Sequence, residues 1–314
     1  MRWNPIWIKE LKIRARVVRI PILLMFYNAV VALIAMFMLI ASVDIMGGGY
    51  VDYSGMTSLF VGLSVLQFCV GFLVTLVMTS NAISNERERG TLDLMLVTPV
   101  SPRTLIGGKM LSAMTTSSLF AVSSFPVLAI SSVYGGIGFE DIFYMIMVFL
   151  LIILYAGSAG ILCSSLMERS STAIISSLIL EIIVYAGPFV VLEIINTFFY
   201  SKTQGLSDPS FAVNGWVFIL IVSPIILIID FYDRVMGGNR LMDMFFYTYG
   251  IGEETGLSYF LQKHFIQCCI VVQLLLSLIF LLIAMKRLGI TKKRTRKRRF
   301  LQKADFKKDN DKSN

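Results

Sequence analysis

The sequence is short of charge. Of its 314 residues only 15% are Asp, Glu, Lys or Arg, while 56% are hydrophobic and the mean hydropathy is +0.76. Soluble globular domains carry about 25% charged residues, so this composition excludes a soluble fold and indicates a membrane protein. Histidine is scarcer still: His264 stands alone at the edge of an apolar run, with no metal-ligand spacing around it. The four cysteines, Cys69, Cys163, Cys268 and Cys269, lie in or beside apolar segments and also lack metal spacing. A phosphate-binding loop is missing too. At the one Gly-Lys pair, Gly108-Lys109, Arg103 stands where a P-loop has its first glycine, and Met110 replaces the Ser or Thr hydroxyl. These absences leave no catalytic residues, no metal site and no cofactor expected on this chain. About twenty residues, many charged, precede the first apolar run, too many for the n-region of a cleaved leader, so none is expected.

What is present is a series of long apolar runs. A spanning helix needs roughly 20 apolar residues, and six stretches qualify: 20–42, 57–79, 110–134, 142–166, 172–200 and 265–285. A seventh, 211–229, is nearly long enough, but Ser223-Pro224 breaks it, and it reads as re-entrant or external. Basic residues set the orientation. Six lie within 1–19, four lie within 86–109 and thirteen follow Met285, whereas the loops after the first and third spans have none. Both termini and the loop between spans two and three are therefore expected to be cytoplasmic, which requires an even number of crossings.

The expected fold is an all-α polytopic membrane protein with six transmembrane helices. Residues 1–19 form an interfacial amphipathic helix, 20–286 the transmembrane domain and 287–314 a basic cytoplasmic tail, with a large external or re-entrant region before the sixth span. In 1–19, Trp3, Ile6, Trp7, Leu11, Ile13, Val17 and Val18 share one helical face, with Lys9, Lys12, Arg16 and Arg19 opposite. Glu10 and Arg14 fall on the apolar side, spaced to pair. The tail reads as a solvated, disordered anchor beside anionic lipid. No folded nucleic-acid module accompanies it, so nucleic acid is not an expected partner.

The densest patterned sequence is the polar stretch between spans two and three. Glu86-Arg87-Glu88-Arg89 alternates in sign, and Gly90 stops the run. Residues 92–97 follow as a short amphipathic helix behind Thr91, with Leu92, Met95 and Leu96 on one face. Thr98-Pro99 ends it, and Ser101-Pro102 opens the next helix with serine as N-cap and proline at the first position. An apolar face on a cytoplasmic loop needs a partner, either a groove in another subunit or the chain's own first helix. Within the spans two acids stand out. Glu181 lies about 13 Å into the fifth at 1.5 Å per residue and must face the bundle interior or water; Glu193 lies nearer the outer surface. On the fourth span Ala156, Gly160 and Ser164 recur every four residues as a helix-packing stripe.

The stretch from Asn85 to Lys109 resembles the cytoplasmic loop of ABC-2 type permeases, the membrane subunits of a class of ABC transporters. In that family a pattern like E-R-E-x-G-T-L-x-x-L-L-x-T-P-[VI]-S follows the second span, and a lysine opens the third. Glu86, Arg87, Glu88, Gly90, Thr91, Leu92, Met95, Thr98, Pro99, Ser101 and Lys109 occupy its positions. The resemblance implies a permease subunit, here expected to be an exporter, moving an unidentified substrate by alternating access. It implies ATP and Mg on a separate ABC ATPase subunit, a second permease copy or sibling as dimer partner, and a multi-pass place in the cell membrane. Glu86, Arg87, Glu88, Arg89, Gly90, Thr91, Leu92, Met95, Leu96, Thr98 and Pro99 are then the ATPase-coupling residues, and Glu181 a candidate for the translocation path. The long 202–263 region departs from the family pattern. The alternatives from other classes are a non-transport membrane scaffold or sensor, and an integral-membrane enzyme.

Overall fold

The computed structural model describes residues 5–15, 18–42, 44–46, 50–52, 55–92, 95, 101–202, 216–238 and 263–313. Its elements are α1 (Pro5–Ala15), α2 (Arg19–Ser42), β1 (Asp44–Met46), β2 (Tyr50–Asp52), α3 (Gly55–Glu88), α4 (Pro102–Tyr134), α5 (Phe139–Leu166), α6 (Ser170–Lys202), a 3-10 turn (Trp216–Val222), α7 (Ile225–Val235) and α8 (Phe265–Ser313). Among the described residues six helices, α2 to α6 and α8, are long and apolar enough to cross a membrane, and each covers one expected stretch. The chain is an all-helical polytopic membrane protein. Among the described residues one ladder pairs β1 with β2 antiparallel, Ile45 opposite Val51, where the sequence suggested a plain loop.

α3 is the hub and packs on α2, α4, α5, α6 and α7. Lipid tails are as apolar as leucine, so helices in a bilayer associate through close packing and hydrogen bonds rather than hydrophobic burial. The Ala156-Gly160-Ser164 stripe of α5 supplies both against α3. A Cβ on Gly160 would stand 2.1 Å from Thr79 Oγ1 and 3.1 Å from both the Leu76 carbonyl and the Ser80 amide. One turn on, Ser164 Oγ accepts from the backbone amides of Ile83 and Ser84, each at 2.9 Å. Hydroxyl pairs carry α3's other faces: Thr75 with Ser117 of α4 at 2.6 Å, and Ser80 with Ser177 of α6 at 2.7 Å. Ile22, Met25, Phe26 and Phe37 of α2 are exposed, as a lipid-facing surface requires.

The broken seventh stretch is built into the bundle. Ser223-Pro224 separates the 3-10 turn from α7. At the break Ser223 Oγ donates to the Tyr185 carbonyl at 2.8 Å, and Gln273 Nε2 donates to the Ser223 carbonyl at 3.4 Å. Phe231 of α7 packs against Phe60 and Phe68 of α3. Near the C-terminal end of α7, Arg234 Nε donates to Asp141 at 2.9 Å and the guanidinium stands over the Tyr144 ring, while Tyr144 donates to Asp230. Residues 211–215 and 239–262 lie outside the described residues.

Both ends differ in part from expectation. α1 docks on α4: Ile6 is buried and Trp7 Nε1 donates to Thr115 Oγ1 at 3.2 Å. Ile13, expected on the apolar face, is exposed, and Glu10 turns inward toward Lys109 instead. The side chain of Arg14 lies outside the described residues. The tail is not disordered, because α8 runs unbroken to Ser313. Phe265 onward nucleates the helix, so each later residue has only to propagate it. No Gly or Pro follows Gly289, and Lys, Arg, Gln and Ala are strong helix formers.

Gly160→Ala is expected to destabilise the protein by about 1–3 kcal/mol through overpacking, measured as thermal unfolding in detergent. Gly107→Ala, where a Cβ meets nothing within 4 Å, should leave the unfolding temperature unchanged or raise it. Equal behaviour of the two variants would contradict the close α3–α5 approach.

Candidate functional site

The end of α3 is built by one glycine. Gly90 has φ +68, which an L side chain resists and glycine adopts freely. Its amide bonds the Arg87 carbonyl, and the Thr91 amide bonds the Glu86 carbonyl, each at 3.0 Å. This pair of bonds is the Schellman termination of a helix. It reverses the chain, leaves Arg89, Gly90 and Thr91 exposed, and returns Leu92 to the protein.

The charges before the glycine each hold a different helix. Glu86 Oε1 accepts from Lys109 Nζ of α4 at 2.7 Å, and Lys109 also bonds Glu10 Oε1 of α1 at 3.1 Å. Lys109 is 5% exposed, so its ammonium is desolvated and depends on both carboxylates. Arg87 donates to the carbonyls of Met167 at 2.8 Å and Ser165 at 3.0 Å, oxygens at the C-terminus of α5 that helix geometry leaves unpaired. Glu88 Oε2 accepts from the Ser170 amide at 3.1 Å and its hydroxyl at 2.6 Å, placing a negative charge at the positive end of α6. Among the described residues Arg89 donates back to Asn85 Oδ1, at 3.1 Å. Three consecutive side chains thus join α3 to α1, α4, α5 and α6.

Leu92 is 3% exposed and sits in a cluster with Ile6, Ile83, Leu105, Ile106, Met110, Ile161, Ala284 and Leu288, with Met95 packed against it. Of the two partners expected for this apolar face, the chain's own first helix is the one that Leu92 meets, together with α4 and α8. Leu96, Thr98 and Pro99 lie outside the described residues. Ser101 caps α4, its side chain accepting from the Thr104 amide at 3.1 Å. The sequence reading missed Glu10 as Lys109's second partner and Ser170 as Glu88's. The isolated lysine at the start of an apolar run was the one available signal.

A second cluster lies deeper. Glu181 is 2% exposed, and neither carboxyl oxygen has a hydrogen-bond partner among the described residues. Tyr185, one turn along α6, and Tyr155 of α5 lie within its electrostatic reach, and among the described residues both hydroxyl oxygens are also buried and unpartnered; Gln273 Oε1 of α8, whose amide nitrogen bonds the Ser223 carbonyl, is unpartnered too. The Tyr155 and Tyr185 rings are 6.4 Å apart, and Phe280 and Phe72 extend the aromatic wall at 5.9 and 5.3 Å. Each unpartnered buried polar atom costs about 1–3 kcal/mol, and an ionised acid at mid-span about 3 kcal/mol. Glu193, by contrast, is exposed. Spacing marked Glu181 in advance; the tyrosines and Gln273 looked like ordinary span residues.

A family model described as ABC-2 family transporter protein matches residues 40–286. No curated protein matches the chain.

Replacing Lys109 with Met leaves two carboxylates facing each other at the helix junction. The loss expected is about 2–3 kcal/mol, discounted because the glutamates are partly solvated, and urea or thermal unfolding measures it. Lys109→Met combined with Glu86→Gln should recover much of the loss; a double variant as unstable as the single would show that the lysine matters for packing alone.

Proposed function

The chain belongs to the ABC-2 transporter family, and on that premise we propose that it is the membrane-spanning permease subunit of an exporter driven by a separate ABC ATPase. One observation carries the reading: the Arg89–Thr91 turn is exposed, while the three residues before it are bonded to three neighbouring helices and, through Lys109, to α1. A push delivered at such a turn reaches α4 and α1 through Glu86–Lys109–Glu10, α5 through Arg87 and α6 through Glu88. Helices tied at one point move together, which is what alternating access demands of a permease. ATP and Mg act on the partner ATPase, and nucleotide-driven closure there supplies the push.

The docking surface is assigned to Arg89, Gly90 and Thr91, with Leu96, Thr98 and Pro99 beyond them. Leu92 and Met95 serve as the fulcrum against α1, α4 and α8. Both charge signs close together favour a defined register on the ATPase more than raw affinity. The permease works as a pair, with a second copy or a sibling, in the cell membrane with both termini cytoplasmic, and 216–235 is read as a re-entrant element entered from the outer side. Glu181, buried without a partner, is assigned to the translocation path.

The purified chain should hydrolyse no ATP alone and should stimulate its ATPase when reconstituted. Arg89→Glu should weaken docking by about tenfold, or 1.4 kcal/mol, with the unfolding temperature unchanged. Leu92→Asp should instead unfold the junction. Arg89→Glu binding the ATPase at parental strength would remove the turn from the interface.

The orientation has its own test. A membrane-impermeant thiol reagent should label cysteine at Arg169 only from the cytoplasmic side and cysteine at Glu140 only from outside. Labelling of both from one side would overturn the assigned topology.

A further inference from the structure

We propose that Glu181, Tyr155 and Tyr185 form a binding site for an organic ammonium cation inside the bundle. The inference deepens, and rests on, the assignment of Glu181 to the translocation path. The unpartnered buried atoms of this cluster are the two Glu181 carboxyl oxygens and the Tyr155 and Tyr185 hydroxyls. An ionised carboxylate only accepts, whereas the phenols accept and donate, so a ligand that complements all of them brings hydrogen-bond donors and, at Glu181, positive charge.

The charge is not supplied from within. Lys109 is committed to Glu10 and Glu86, Arg234 to Asp141 and Glu140, and Arg87 to the end of α5. No lysine or arginine among the described residues is seen to bond Glu181. The walls favour a soft cation. Phe72, Tyr185, Tyr155 and Phe280 form a chain of tilted rings with centroids 5.3 to 6.4 Å apart, and aromatic faces attract cations, ammonium groups above all. Divalent metals are poorly matched. They take six or more oxygen ligands or clustered carboxylates and imidazoles, and no group of three His, Cys, Asp or Glu occurs among the described residues. An anion would meet the Glu181 carboxylate head-on. An ammonium group against Glu181 and the rings would satisfy what the fold leaves open there.

The test uses the full-length permease in zwitterionic nanodiscs without any ATPase, so its outcome is independent of the coupling turn. Radiolabelled choline, methylammonium and tetraethylammonium are the probes, and 3,3-dimethylbutan-1-ol is the neutral isostere of choline. Saturable binding of at least one cation is expected, with no competition from the isostere where the cation is choline. Glu181→Gln should lower the affinity by about tenfold or more, whereas Glu193→Gln should not change it. Tyr155→Phe, which keeps the ring and loses the hydroxyl, should retain most of the binding. Absence of saturable binding for all three cations, equal competition by the isostere, or undiminished binding in a folded Glu181→Gln variant would each overturn the proposal.

Discussion

The buried ammonium of Lys109 sets the terms for the rest of the molecule. A cation removed from water is tolerable only if anions meet it, and here two do, Glu10 from α1 and Glu86 from the end of α3. Satisfying it requires α1 to lie against α4, and α3 to extend well past the length a bilayer needs. Once Glu86 is placed, Arg87 and Glu88 come to rest on the open ends of α5 and α6, a carbonyl terminus met by a cation and an amide terminus met by an anion. One electrostatic requirement thus organises five helices at a single point.

That point would be useless as a transmitter if the helices beyond it were loosely packed. They are not. Gly160 and Ser164 bring α5 against the backbone of α3, and hydroxyl pairs bind α3 to α4 and α6. In a bilayer such contacts replace the hydrophobic effect as the source of association. α3 is therefore a rigid member running from the exposed turn to the opposite end, where Phe60 and Phe68 meet Phe231 of the broken segment.

The two polar clusters differ in kind. At the end of α3 nearly every charge has its partner, as a structural joint requires. Around Glu181 the acid and two nearby phenols have no hydrogen-bond partner among the described residues. A fold that pairs its charges at one level and leaves a buried acid and two phenols open at another is arranged for something besides its own stability.

Much of this was legible in the chain itself. Six apolar runs of spanning length, the glycine after an alternating charge run, the Ser-Pro helix start and the deeper of the two acids in the fifth span all follow from local properties: hydropathy, φ preference, capping and depth. The resemblance of the 86–109 stretch named the family that the match over 40–286 then established. Tertiary structure decided where those features point. Glu10 and Lys109 are 99 residues apart, and nothing in either neighbourhood announces the other. Leu92 looked like a face awaiting a partner because its helical spacing is local, whereas its burial against Ile6 and Leu288 depends on how α1 and α8 fold back. The tail looked disordered by its charge, yet a helix already started in the membrane carries it on to Ser313. Periodicity reports which side of a helix is apolar; only packing reports what lies against it.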